Sequence, residues 1–165
     1  MEPAAAKVEL KRLESQAATV MTYTLEIRAF VETIFDCLDL PEKQTQWLEG
    51  LDRTVFPDGR PAGPQAGTRF TQLVKQQGGL AEYQGVILVH HRPRRFVVRV
   101  GNRHFTALVD YRMESLGDRS RLDFTARLLF HTLVGRMTGT LYAGKSRRIA
   151  IDQLVALKQF AEAGG

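Results

Sequence analysis

The stretch Leu133 to Glu162 reads LVGRMTGTLYAGKSRRIAIDQLVALKQFAE. It contains no proline, and its residues recur at helical spacing. Ala150, Leu154, Leu157 and Ala161 fall on one stripe at steps of three and four. Run backwards, that stripe passes Ser146 or Arg147 and then reaches the small residues Ala143 and Gly139. The large end can fill a core. The small end either leaves room for a ligand or lets the helix approach a sheet closely, and both readings stand. Gly139 and Gly144 each weaken the helix by about 1 kcal/mol relative to alanine, which predicts a bend near them. Gly164 and Gly165 end it.

The chain before this helix alternates. Over residues 68–76, Phe70 and Val74 share a face, and Gly78-Gly79 makes a turn. A strand over 80–91 is apolar on both faces from Val86 to Val89. Phe96, Val98 and Val100 then alternate with Arg95, Val97 and Arg99. Phe105, Ala107, Val109, Tyr111 and Met113 alternate with polar neighbours, and so do Leu122, Phe124, Ala126, Leu128 and Phe130. Short turns between such runs mean consecutive antiparallel hairpins. A long helix after them predicts a curved sheet with the helix across its concave face and a binding site between the two.

Residues 19–28 form an earlier strand, with Met21, Tyr23, Leu25 and Ile27 on one face. The period then changes to helical, with Val31, Ile34, Phe35 and Leu38 in line until Pro41 stops the run. A second short helix over 42–49 carries the only tryptophan, Trp47, expected to cap one end of the core. Residues 56–67 hold three prolines and three glycines and form a loop, either a lid or a connection. Residues 1–18 are expected to be a helical extension, and 19–165 a single domain.

At 165 residues and 44% hydrophobic, the chain can build a real core. No apolar run is long enough to span a membrane, and the charged N-terminus does not resemble a secretory signal. A cytoplasmic protein is therefore expected. One cysteine, Cys37, excludes an internal disulfide and reads as a small buried hydrophobe. The net charge of +5 gathers in Arg92-Pro-Arg-Arg95 with Arg99 and Arg103, and in Lys145-Ser-Arg-Arg148. Those clusters could meet an anionic membrane or an acidic partner. No nucleic-acid-binding motif accompanies them, so nucleic acid is not expected.

These patterns resemble the SRPBCC superfamily, the helix-grip fold of START, birch-pollen-allergen and polyketide cyclase/dehydrase-like domains. The resemblance rests on Leu25-Glu-Ile-Arg-Ala29 running into Phe30-Val-Glu-Thr-Ile-Phe-Asp36, with Trp47 after it. Gly67-Thr-Arg-Phe70, His91-Arg-Pro-Arg94 and the terminal Leu154-Val-Ala-Leu-Lys158 also fit. It implies an α+β fold: about seven antiparallel strands wrapped around the C-terminal helix, two short helices after the first strand, and an apolar cavity. Members of the superfamily include lipid carriers and polyketide cyclases, so fold alone does not fix function.

The concave face is expected to supply ligand contacts from Tyr23, Phe70, Val98 and Val100, and from Phe105, Val109, Tyr111, Met113 and Phe124. The long helix would add Gly139, Ala143 and Arg147, the last towards an anionic ligand group. Such a surface suits a hydrophobic or aromatic small molecule, lipid- or polyketide-like. An enzyme of cyclase or dehydratase type is the alternative. It would need Tyr23, Tyr111 or a strand-end histidine such as His91 as acid or base. One of His90 and His91 must face inward, whereas His104 and His131 read as outward. No metal site and no cofactor are expected.

Overall fold

The computed structural model describes residues 1–138 and 146–165 in full; for residues 139–145 it shows only that they continue a helix. The elements run α1 (Pro3–Gln16), β1 (Ala18–Ile27), α2 (Val31–Asp39), α3 (Pro41–Trp47), β2 (Leu51–Val55), β3 (Arg69–Gln76), β4 (Gly79–His91), β5 (Arg95–Gly101), β6 (Phe105–Ser115), β7 (Ser120–Phe130) and α4 (Leu133–Glu162). The strands make one curved antiparallel sheet in the order β1-β7-β6-β5-β4-β3-β2. The helix-grip α+β architecture expected from the sequence is what the chain adopts. The β3–β4 turn uses Gly78 at φ +92° and Gly79 at φ +137°, conformations that a Cβ disfavours.

Each face of the sheet carries its own apolar cluster. On the concave face, Ile27, Ile34, Phe35, Leu38, Leu122, Leu154 and Leu157 are buried together. On the convex face lie Val86, Leu88, Val89, Val97 and Leu108, covered by Ala6, Leu10 and Leu13 of α1. The N-terminal helix is thus packed against the outside of the sheet. Glu9 of α1 meets Arg99 of β5 at 2.8 Å, and Glu14 meets Arg95 at 3.7 Å. The double-sided apolar run Val86–Val89 has its explanation here: the strand has a core on both sides.

Two irregularities change what faces inward. In β4 the pairing with β5 slips between Ile87 and Val89, so Leu88 is an extra residue. Ile87 faces the concave cluster, Leu88 and Val89 both join the convex one, and His90 returns inward. Strict alternation from Ile87 would have aimed His91 inward; the bulge corrects this, leaving His91 exposed and His90 half-buried. In β2 the register also shifts, between Leu51 and Arg53. At five residues, with a register shift inside it, this strand shows no clear alternation in the sequence.

Helix α4 is held at both ends. The Thr132 side chain accepts a hydrogen bond from the Gly135 amide at 3.1 Å, a regular N-cap. The C-terminal half is the anchor, with Leu154, Leu157 and Ala161 buried. The first turn is not buried: Leu133 is 71% exposed and Met137 60%. The bend expected near Gly139 and Gly144 falls on residues 139–145, outside the described residues.

Candidate functional site

A cavity of about 250 Å³ opens between the concave face and the helices. Its floor is Phe70 on β3, Ile87 on β4, Phe96, Val98 and Val100 on β5, and Val109 and Tyr111 on β6. Its roof is Leu38 and Asp39 of α2 with Pro41, Gln44, Trp47 and Leu48 from α3 and its C-cap. Phe56 and Pro64 bring the 56–67 loop to its edge, and Gln153 is the contribution of α4 among the described residues. That loop is tied down by Arg60 to Glu42 of α3 at 2.9 Å and by a two-bonded Asp58–Arg69 pair at 2.7 and 2.9 Å.

The floor follows from strand pairing. His90, Phe96, Tyr111, Phe124 and Tyr23 are successive partners across β4, β5, β6, β7 and β1, giving one transverse row of rings. Phe96 stands 5.9 Å from His90, and Tyr111 stands 5.4 Å from Phe124, both edge to face. Phe70 crosses over Gly85, its partner on β4, and a Cβ at Gly85 would run into the ring. The missing side chain lets that ring lie flat on the floor.

Of the residues expected from sequence, Phe70, Val98, Val100, Val109 and Tyr111 line the cavity. Tyr23, Met113 and Phe124 belong to the concave cluster outside the lining, and Phe105 sits 6.1 Å from Tyr83. Arg147 is exposed and lies off the cavity, in a stretch of α4, Ser146 to Ile149, that is exposed at every position. Gly139 and Ala143 lie outside the described residues. His91, named as an acid–base candidate, is exposed for the reason given by the Leu88 bulge.

Tyr111 lies deep in the protein, with part of its surface on the cavity. Burial pushes its hydroxyl pKa well above the ordinary value, so it stays neutral and can donate. Among the described residues no hydrogen bond is made by this hydroxyl, which is not among the fully buried unpartnered atoms. Trp47 both caps the core and walls the cavity, its Nε1 donating to the Cys37 carbonyl at 2.8 Å. Cys37 is buried and its thiol pKa raised, chiefly by desolvation.

The polar pair that the sequence reading passed over is Asp39 with His90. His90 Nε2 lies 3.0 Å from Asp39 Oδ2, with the two side chains 14% and 10% exposed. Asp39 Oδ1 is buried with no partner, and no other buried side-chain nitrogen or oxygen among the described residues is in that position. A signal was present: Asp39 stands four residues after Phe35, on the buried stripe of α2. Among the described residues no three metal-ligating side chains converge.

The first basic cluster is largely committed to carboxylates. Arg92 pairs with Asp36 at 3.0 Å, Arg95 with Asp110 at 2.8 Å and Arg99 with Glu9 at 2.8 Å. No helix among the described residues is long and apolar enough to cross a membrane.

No family model and no curated protein matches the chain. Solved structures do. The aromatase/cyclase Zhui from a Streptomyces strain is 14% identical, with 86% of this chain and 92% of that one covered at a TM-score of 0.62. A START superfamily protein from Mycobacterium smegmatis is 18% identical, with 87% and 94% covered at 0.60. The di-domain aromatase/cyclase StfQ of the steffimycin biosynthetic pathway is 12% identical, covering 98% of this chain and 57% of that one at 0.67. The chain therefore has the START-like helix-grip fold that these aromatase/cyclase and START structures share.

Proposed function

We propose that this protein binds a hydrophobic or aromatic small molecule, lipid- or polyketide-like, in the cavity beneath the α2–α3 corner. The observation that carries this reading is the cavity itself. Val98, Val100 and Val109 on its floor are only half-buried, so apolar surface lies open where a solid core would have closed it. Native mass spectrometry of the full chain against a panel of fatty acids and polycyclic aromatics tests it. Val98→Trp fills the space from the floor. Retention should fall at least about tenfold, the loss of roughly 1.4 kcal/mol of contact, while the chain stays folded. Unchanged retention in a folded Val98→Trp protein overturns the reading.

Acid–base catalysis of cyclase or dehydratase type is a second reading, and what favours it is the pairing of Asp39, on the cavity roof, with His90 of β4 behind the lining. Under that reading His90→Gln abolishes turnover of an aromatisable polyketone while leaving its binding intact. Equal turnover in the variant removes it.

A further inference from the structure

We propose that Asp39 is the anchor for a hydroxyl group of the ligand, which makes the bound molecule a flat, apolar body carrying a hydroxyl at its α2 end. The proposal rests on the binding reading above and names the chemistry of that same cavity.

A carboxylate on the buried stripe of α2 loses its hydration, a cost that only hydrogen bonds can offset. His90 meets Oδ2, whereas Oδ1 has nothing. None of the neighbouring donors reaches it. Gln44, beside Asp39 in the roof, gives its amide to the Leu38 carbonyl at 2.6 Å and accepts from Thr54 at 3.3 Å. Trp47 donates to Cys37, Lys43 to the Gly165 carbonyl at 2.9 Å, and Arg92 to Asp36. His90 is fixed by Phe35, 5.0 Å away at 90°, and by Phe96, so the acceptor is held in place. Asp39 lines the cavity, although Oδ1 itself has no open surface, so a small turn of the carboxylate presents an acceptor that only an incoming donor can meet.

A hydroxyl fits better than an ammonium. It has one hydrogen to give, and Oδ1 is one acceptor. An ammonium would bring three donors to a wall of Leu38, Trp47 and Phe96 and leave two unmet. The Tyr111 hydroxyl, which makes no hydrogen bond among the described residues, extends the pattern. It lies two strands from His90 in the same transverse row, about 10 Å away by strand spacing, and can meet a second oxygen at the far end.

The test is a calorimetric titration of the full chain with naphthol, its methyl ether and naphthylmethylamine. Wild-type protein should bind naphthol about tenfold tighter than the ether, the range for a hydrogen bond to a charged group. Asp39→Asn, whose amide keeps the shape without the charge, should shrink that ratio to about twofold. Equal binding of naphthol and ether by wild-type protein overturns the anchor and leaves the cavity reading standing. A ratio that survives Asp39→Asn also overturns it, since the hydroxyl is then met elsewhere. Tighter binding of the amine than of naphthol overturns the choice of hydroxyl. Binding of none of the three overturns the anchor and the binding reading together.

Discussion

Replacing Leu13 by alanine tests whether α1 is part of the folded core. Leu13 is fully buried against Val86, Leu88, Val89, Val97 and Leu108 on the convex face. Removing its three outer carbons forfeits their transfer energy and leaves a void that two packed layers cannot easily close. Leu→Ala changes at such sites cost about 2–5 kcal/mol. With a urea m-value of about 2 kcal/mol/M, the midpoint should fall by roughly 1–2.5 M. Val8 is the control: it lies on the same helix, 69% exposed, and its alanine variant should stay within about 0.5 kcal/mol. Deleting residues 1–17 goes further, because it uncovers those five sheet residues at once and should drive association. If Leu13→Ala moves the midpoint no more than Val8→Ala, and the truncated chain stays monomeric and equally stable, then α1 is a bystander and the convex core is not a core.

Two further outcomes are expected. Gly85→Ala should displace the Phe70 ring from the cavity floor and cost about 1–3 kcal/mol by overpacking, a drop in Tm of roughly 2–12 °C; an unchanged Tm contradicts the close approach. The Glu9 carboxyl is held at about 2, down from 4.5, first by its hydrogen bond from Arg12 and then by Arg99. Its folded pKa is the lower one, so its contribution is complete above about pH 4.5 and is lost as the pH falls towards 2. Denaturation midpoints of wild type and Glu9→Gln should therefore converge on acidification over that window, and parallel curves would show that the clamp contributes nothing.

Strict alternation was enough to orient β1 from Met21 onward, past its register shift, and β5, β6 and β7, because side chains of a regularly paired strand change face with a period of two. Tyr111, Val98 and Val109 were assigned inward by that rule alone, and they line the cavity. The rule failed where a strand carries an extra residue. Nothing in Val86-Ile-Leu-Val89 marks Leu88 as the bulge, since all four residues suit either face, and the choice is made by the second core under α1. That core was itself hard to read, because Ala6, Leu10 and Leu13 make a narrow stripe and Val8, the other apolar residue, points to solvent. The strand β2 escaped for a related reason: Leu-Asp-Arg-Thr-Val is short and shifts register within itself. Asp39 is a carboxylate on the apolar stripe of α2, but a single acid near a helix end reads equally well as exposed until its neighbours are known.

The small residues Gly139 and Ala143 of α4 lie outside the described residues, and the described part of the cavity is set at another corner. Leu154 and Leu157 fill the concave side beside β1 and α2, and beyond them the described part of α4 gives the cavity only Gln153. What shapes the site is the corner between α2 and α3. Leu40 alone links the two helices in an extended conformation, and Pro41 starts α3 at once. Two hydrogen bonds lock the corner, Gln44 to Leu38 and Trp47 to Cys37, so that α3 is tied to the backbone of α2 rather than merely packed on it. Asp39, Gln44 and Trp47 thereby project from one rigid unit onto a floor of paired strands. A site built this way loses little conformational entropy when it is filled, so selectivity falls to the few polar groups left unsatisfied in its walls. Among the described residues those groups are Asp39 Oδ1 on the roof and the Tyr111 hydroxyl on the floor, and under the proposed reading the molecule that fits brings partners to both.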